Sequence, residues 1–217
     1  MRMVNPEWEA IRDFEYTPKY CDVQFDLAGG EIPADHGVAL DAALCIHLPW
    51  LAEATDVGIH PVHAAPTGRN ANLVINRRVK LVLRIPVTRR ADVAALCGAR
   101  IDPGAGELLI GDLKEKRLTP FAYLYSYFVD MGVADEATFL AAARAELAEM
   151  GIRCGLIPGK QRKMATPAGE VAGFSLMLHD VDLLQSLQVQ EVGIGRGRRR
   201  GCGIFIPHKS IKEVAII

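Results

Sequence analysis

Between Glu191 and Pro207 the sequence reads EVGIGRGRRRGCGIFIP, with five glycines interleaved with four arginines. The glycines are Gly193, Gly195, Gly197, Gly201 and Gly203, and the arginines are Arg196, Arg198, Arg199 and Arg200. Glycine lets a backbone turn freely and come close to a ligand. Arginine presents a planar fork of donors that meets phosphate oxygens two at a time. Together they point to a phosphate-bearing ligand. Three other uses of such a segment fail on detail. A dinucleotide fingerprint needs G-x-G-x-x-G leading from a strand into a helix. Here Arg198 stands where the third glycine would follow Gly193 and Gly195, Arg200 where it would follow Gly195 and Gly197, and a strand-like GIFI comes next. A P-loop needs Gly-Lys-Ser/Thr, which is absent. A disordered Arg-Gly tail would not run into Ile204, Phe205 and Ile206. The bland alternative is a solvated basic loop.

Histidine is the side chain whose ordinary pKa, about 6.5, suits it to take a proton near neutrality. Six are present: His36, His47, His60, His63, His179 and His208. His47 shares a helical face with Leu40, Ala43 and Leu44, the pattern of a buried structural histidine. His60 and His63 are three apart in a strand-like segment, where alternation sends them to opposite faces and away from a shared metal. A metal-dependent small-molecule enzyme built on those two is one alternative, weakened by the lack of a clustered Cys, His and carboxylate set. His179 and His208 fall at loops or strand ends, His208 close behind the glycine-arginine segment. Lys160, Arg162 and Lys163 read as a basic hairpin loop, and Arg77, Arg78 and Lys80 as a weaker patch. For both, the alternative is a solvated run of charge.

These groups must be positioned by a chain of 217 residues, half of them hydrophobic and 24% charged, with a net charge of -1. Such a composition supports a packed core and excludes global disorder. The near-neutral charge gives no general sign of a polyanion partner, so any nucleic-acid affinity must come from local clusters. Cys21, Cys45, Cys97, Cys154 and Cys202 are too far apart for a zinc knuckle or a redox pair. No signal peptide is visible, and no apolar run approaches the roughly 18 to 20 residues of a membrane helix. A reduced, cytoplasmic, soluble protein without a cofactor is expected.

Residues 1–19 read as a loose lead-in. Residues 21–27 alternate, with Val23, Phe25 and Leu27 on one face of a strand. Asp35 is placed to cap a helix from His36 to about Leu48, which Pro49 closes. Residues 57–64, 72–76 and 79–86 read as strands, 89–97 as a short helix stopped by Gly98, and 107–110 as a strand. The second half repeats that order. Residues 120–129 form a strand, and 135–150 a helix capped by Asp135, with Phe139, Leu140, Ala143 and Leu147 inside and Gly151 as its stop. Residues 153–158 and 170–178 are strands, 182–190 a helix and 203–206 a closing strand. Two successive β-α-β-β-α-β units give an α+β protein of two tandem ferredoxin-like (RRM-like) domains. They would span residues 1–112 and 113–217, with a seam near 111–118. One irregular α+β domain is the alternative.

The glycine-arginine segment resembles the C-terminal glycine-rich loop of the CRISPR repeat-associated RNA-binding (RAMP) superfamily, in particular its transcript-processing endoribonucleases. Residues 29–51 (GGEIPADHGVALDAALCIHLPWL), 58–61 (GIHP) and 201–211 (GCGIFIPHKSI) are similar to a small bacterial subfamily of those enzymes. The resemblance covers almost the whole chain. It implies that the partner is CRISPR repeat RNA folded as a hairpin, with other CRISPR effector subunits as further partners. It implies cutting without a metal: a 2′-hydroxyl loses its proton, attacks the adjacent phosphate, and leaves 2′,3′-cyclic phosphate and 5′-hydroxyl ends. It also implies a histidine near the start of the first helix, and His36 stands there as the general base. A helix N-terminus favours the neutral imidazole that a base needs, while Asp35 beside it pulls the other way. Many members pair this histidine with a tyrosine and a lysine at varying positions, and Tyr20 and Lys163 answer to them here. The resemblance assigns the glycines and arginines of the loop, with Lys160 and Arg162, to RNA binding. A non-catalytic RNA-binding subunit of an effector complex shares the fold and the loop, and would bind without cutting.

Overall fold

The structure, a computed structural model, describes residues 16–68 and 71–208. Most of the expected lead-in (1–15) and residues 209–211 of the C-terminal motif lie outside the described residues. The first half is built on β1 (Tyr20–Gly29), whose alternation buries Cys21, Val23, Phe25 and Leu27. Antiparallel partners flank it, β6 (Lys80–Pro86) on one side and β8 (Leu108–Arg117) on the other. With the short β3 (Gly58–Ile59) and β7 (Arg100–Ile101), the sheet order is β3-β6-β1-β8-β7. A small side sheet joins β2 (Glu31–Pro33), β5 (Asn72–Val74) and β4 (Ala65–Pro66). Helix α1 (Gly37–His47) lays Leu40, Ala43 and Leu44 on this core, and α2 (Arg90–Val93) adds Val93.

The second half starts with β9 (Leu124–Val129) and α3 (Glu136–Glu149). Asp135 caps α3 by accepting from the Thr138 amide at 2.8 Å, and Phe139, Ala143 and Leu147 are buried beneath it. Next come β10 (Gly155–Thr166), β11 (Gly169–His179), α4 (Leu183–Val192) and β12 (Ile206–Pro207), in a sheet ordered β10-β11-β9-β12. The fold is mixed α+β with two separate apolar cores, one for each half. Leaving β7 aside, both sheets place their strands, counted along the chain, in the lateral order second, third, first, fourth. No described helix is long and apolar enough to cross a membrane.

Several expected boundaries move, each for a physical reason. Asp35 does not cap α1; the cap position is His36, and the Asp35 carboxylate accepts from the Ala165 amide of the other half at 2.7 Å. The strand expected over 57–64 shrinks to Gly58–Ile59, since Pro61 has no amide to give a ladder. The charged run 111–117, read as part of a seam, is the far end of β8 and pairs with β1, so a division at 112/113 falls inside a strand. Beyond β7 that end of β8 is a sheet edge, and Lys114, Glu115, Lys116 and Arg117 supply the charge that keeps such edges from pairing with other chains. Lys160, Arg162 and Lys163 are not in a hairpin loop; they lie on β10, an edge strand, and the turn is at residues 167–168. The closing strand begins at Ile206, because Gly203 to Phe205 still belong to the packed segment before it.

Candidate active site

The glycine-arginine segment is packed, not open. Gly193 ends α4 at φ 71°, and Gly203 sits at φ 63°. A Cβ on Gly203 would lie 2.0 Å from the Ile194 carbonyl oxygen, and one on Gly193 would lie 2.2 Å from that of Gly203. Only glycine lets these two backbones touch. The Gly203 amide donates to Phe128 at 2.7 Å, and the Arg196 amide to Asp130 at 2.9 Å, so the segment is tied to β9 and the residue after it.

Its four arginines take different places. Arg196 is exposed, with its guanidinium against Gly132. Arg199 turns inward: it donates to the carbonyls of Leu51 and Ala52, the latter at 2.6 Å, and lies 3.2 Å from the Asp41 carboxylate. It therefore ties the segment to the first half. Arg200 lines a cleft between the halves and brings its carbonyl against Gly37, the first residue of α1. Arg198 is largely buried, its Nε and Nη2 without a hydrogen-bond partner among the described residues. Burial pushes its pKa down to about 10, with Arg84 adding to the shift, and it stays charged at neutral pH. It lines a larger recess of about 650 Å³ together with Gly193, Gly195 and Gly197.

The cleft between the halves has a volume of about 290 Å³, and its walls include His36, His60, Tyr127, Arg162, Lys163 and Arg200. His36 is 5% exposed, and both of its ring nitrogens are engaged. Nδ1 donates to the Pro33 carbonyl at 2.8 Å, and Nε2 accepts the Val62 amide at 2.9 Å. The Val62 donor fixes this tautomer, because Nε2 must keep its lone pair. Burial holds the His36 pKa below the usual imidazole value. His60 lies 3.4 Å from the Asp22 carboxylate, and burial holds its pKa below the usual imidazole value. Asp22 also receives two donors from Arg84, at 2.8 and 2.9 Å. Arg84, 1% exposed, continues across the molecule to the carbonyls of Gln190 and Phe205, at 2.9 and 2.6 Å. His63 does not join His60 at the Asp22 carboxylate: it is exposed, its ring edge against Tyr127 at a centroid distance of 4.9 Å.

Arg162 reaches Tyr127 across an intervening strand. It is paired with Gly173 on β11, and Gly173 has no side chain to block the way. The guanidinium lies 3.9 Å above the Tyr127 ring and donates to its hydroxyl at 2.9 Å. A Cβ on Gly173 would meet the Val129 carbonyl oxygen at 2.3 Å and the Phe128 ring at 2.9 Å.

The structure thus brings His36, Lys163, Arg162 and Arg200 to one cleft. Tyr20 is not among its walls: it opens β1 opposite Pro86, half-buried, within the electrostatic reach of Asp56, Arg198 and Glu191. Lys163 pairs with Glu170 at 2.6 Å, and Lys160 is exposed on β10. Lys80, of the weaker patch, pairs with Asp26 at 2.5 Å. His47 gives its ring nitrogen to a 3.1 Å contact with the Arg100 carbonyl. Sequence reasoning missed Tyr127, Arg84 and Asp22. An isolated glycine inside a strand, Gly173, was the available signal for the first. A lone arginine in the apolar run of β6 was the signal for the buried ion pair.

Comparison with known proteins supplies a family context. The family model described as Cas6 Crispr matches residues 21–210. A CRISPR-associated endonuclease Cas6 from Myxococcus xanthus (strain DK1622) is 34% identical over 189 residues, covering 87% of this chain and 81% of the relative. Among solved structures, one named CRISPR associated protein Cas6 aligns with TM-score 0.67 at 12% identity, over 88% of this chain and 100% of the other. Another, described as a RAMP protein binding different RNA substrates, aligns with TM-score 0.63 at 11% identity, over 87% of this chain and 100% of the other.

Proposed function

Because this chain belongs to the Cas6 family of CRISPR-associated endonucleases, we propose that it binds CRISPR repeat RNA and cuts it once without a metal ion. The observation that carries the reading is the cleft between the halves, where imidazoles stand beside Arg162, Lys163 and Arg200. Cutting by 2′-hydroxyl attack needs a base, a cation for the crowded phosphate and a proton for the leaving oxygen. The cleft holds residue types for each. The two sheets are those of tandem ferredoxin-like units, a reading supported by their shared lateral strand order. The repeat is read as a hairpin whose foot enters the cleft, and the product passes to other CRISPR effector subunits. A cytoplasmic site of action goes with a transcript as substrate and with five free cysteines.

The deciding experiment incubates the protein with end-labelled repeat RNA in excess EDTA, with a 2′-deoxy control at the cut site. Cutting that the 2′-deoxy sugar abolishes is the expected result. Cutting that needs added metal would overturn the mechanism. Binding without any cutting would favour the non-catalytic subunit, a reading that one observation supports: the lone pair of His36 is already spent on Val62.

The buried donors of Arg198 suggest where an RNA phosphate rests. A guanidinium with Nε and Nη2 unpartnered away from water is costly to the free protein and is satisfied by a phosphate. Arg198→Gln is therefore expected to leave the melting temperature unchanged or raised, while RNA affinity drops by about tenfold or more. Thermal melting and filter binding on the same preparation check the two signs together.

A further inference from the structure

We infer that His63, not His36, takes the 2′-hydroxyl proton, that Arg162 beside it holds the phosphate, and that His36 is a positioning residue. The inference rests on the endonuclease reading above. The geometry of His36 carries the first step. Its ring is clamped between two backbone groups, Pro33 and Val62, and neither nitrogen has a lone pair free for a substrate. What the ring does instead is fix the backbone of Val62, whose neighbour in sequence is His63. On the other side, Pro61 packs against the glycine-arginine segment: a Cβ on Gly201 would lie 3.3 Å from the Pro61 Cδ. The three residues 61–63 are thus held from both halves of the molecule, and His63 is the one that faces out.

Around His63 the needed chemistry is assembled. Its ring rests edge-on against Tyr127, and the Arg162 guanidinium lies on that same tyrosine. Arg162 also lines the cleft, so its guanidinium borders the space that a phosphate would enter. His63 also borders a recess of about 370 Å³ lined by Tyr125, Tyr127 and His208, which shares His60, Pro61, Tyr127 and Gly201 with the cleft. An aromatic recess next to a cationic cleft suits an unpaired base stacked beside the scissile phosphate. Partial desolvation against its neighbours, with the Arg162 charge adding to the shift, holds the His63 imidazole below its ordinary pKa, so it is neutral at pH 7 and able to accept a proton.

In the step itself, neutral His63 accepts the 2′-hydroxyl proton as the 2′-oxygen bonds to phosphorus. The bond from phosphorus to the 5′-oxygen breaks, and that oxygen takes a proton from water. The hydroxide so formed takes the proton back from the imidazolium, and no electrons are gained or lost. Arg162 neutralises the charge that gathers on the phosphoryl oxygens.

The test compares wild type, His63→Ala, His63→Gln and His36→Asn on repeat RNA in EDTA, measuring Kd and single-turnover cutting rate across pH. Asparagine keeps an amide donor at the Nδ1 position for Pro33 and cannot act as a base. The expected result is that both His63 variants bind RNA within about threefold of wild type yet cut at least about a hundredfold slower, the loss typical of a missing acid-base group. His36→Asn is expected to cut at a measurable rate whose pH profile keeps the wild-type rising limb. Wild-type cutting by His63→Ala, or a His36→Asn protein that binds RNA and does not cut, would overturn the assignment. Absence of cutting by the wild type would overturn the endonuclease reading itself.

Discussion

Arg84→Met is expected to destabilise the protein by about 3–5 kcal/mol, the loss seen when one member of a buried ion pair is removed. Domains of this kind have only about 5–15 kcal/mol in total, so the variant is expected to be largely unfolded at 37 °C. Methionine restores much of the lost volume, so the effect is not that of a cavity. It comes from what is left behind. Asp22, with its side chain 16% exposed, loses both donors, and the carbonyls of Gln190 and Phe205 lose theirs. Those two carbonyls belong to the second half and Asp22 to the first, so a single guanidinium joins β1, α4 and the end of the glycine-arginine segment. Urea unfolding with tryptophan fluorescence and far-ultraviolet dichroism measures it. A change below about 1 kcal/mol would show that the ion pair adds nothing beyond the packing of β6.

The same network sets the response to acid. The Arg84 charge holds the Asp22 carboxyl far below the usual range despite its burial. A depressed carboxylate stabilises the fold above its unfolded pKa of about 3.9 and loses that contribution as pH falls through the folded value. His36 and His60 act in the same direction from a higher pH. Their folded pKa values are lowered, so below about 6.5 the unfolded chain binds protons that the folded chain does not. Stability is expected to decline from about pH 6.5 downward and more steeply below about pH 4.

What was legible in the sequence and what was not divides along a physical line. The burial of Val23, Phe25 and Leu27 follows from alternation, and the α3 cap from Asp135 and its neighbour Thr138, because both signals lie within a few residues. The basic run on β10 reads as a loop from sequence because an edge strand with one solvated face carries the same charges as a turn. Asp35 has the chemistry of a cap, and only the distant Ala165 amide decides otherwise. At the candidate site, the cleft gathers His36, Arg162, Lys163 and Arg200 from three separate stretches. Nothing local says that the lone pair of His36 is spent, since the donor is 26 residues away. Nor does any local pattern say that Arg199 faces the carbonyls of the first half while Arg196 faces water. The glycines were assigned to contact with RNA, and several are required first by the protein's own backbone.

Gly203→Ala tests that last point and is expected to have the largest effect of any single methyl group added to the chain. Alanine at φ 63° carries the left-handed penalty of about 1–2 kcal/mol wherever it occurs. Gly151, at φ 75° with nothing within 4 Å of an added Cβ, isolates that term. At Gly203 the added carbon would also fall 2.0 Å from the Ile194 carbonyl oxygen. No rotamer relieves a clash between a Cβ and backbone, so either Gly203 or Ile194 must move. Moving Gly203 strains the hydrogen bond that its amide donates to the Phe128 carbonyl, at 2.7 Å, and with it the seat of Arg198 to Arg200 on the first half. A shift of about 1 Å in such a support costs roughly a hundredfold in rate even when the chemistry is elsewhere. Gly203→Ala is therefore expected to lose about a hundredfold or more in cutting, together with most of its RNA affinity. Gly151→Ala should melt a few degrees lower and cut like the wild type. Equal behaviour of the two variants in a cutting assay would mean that the glycine-arginine segment tolerates displacement and that its shape is not what holds the RNA.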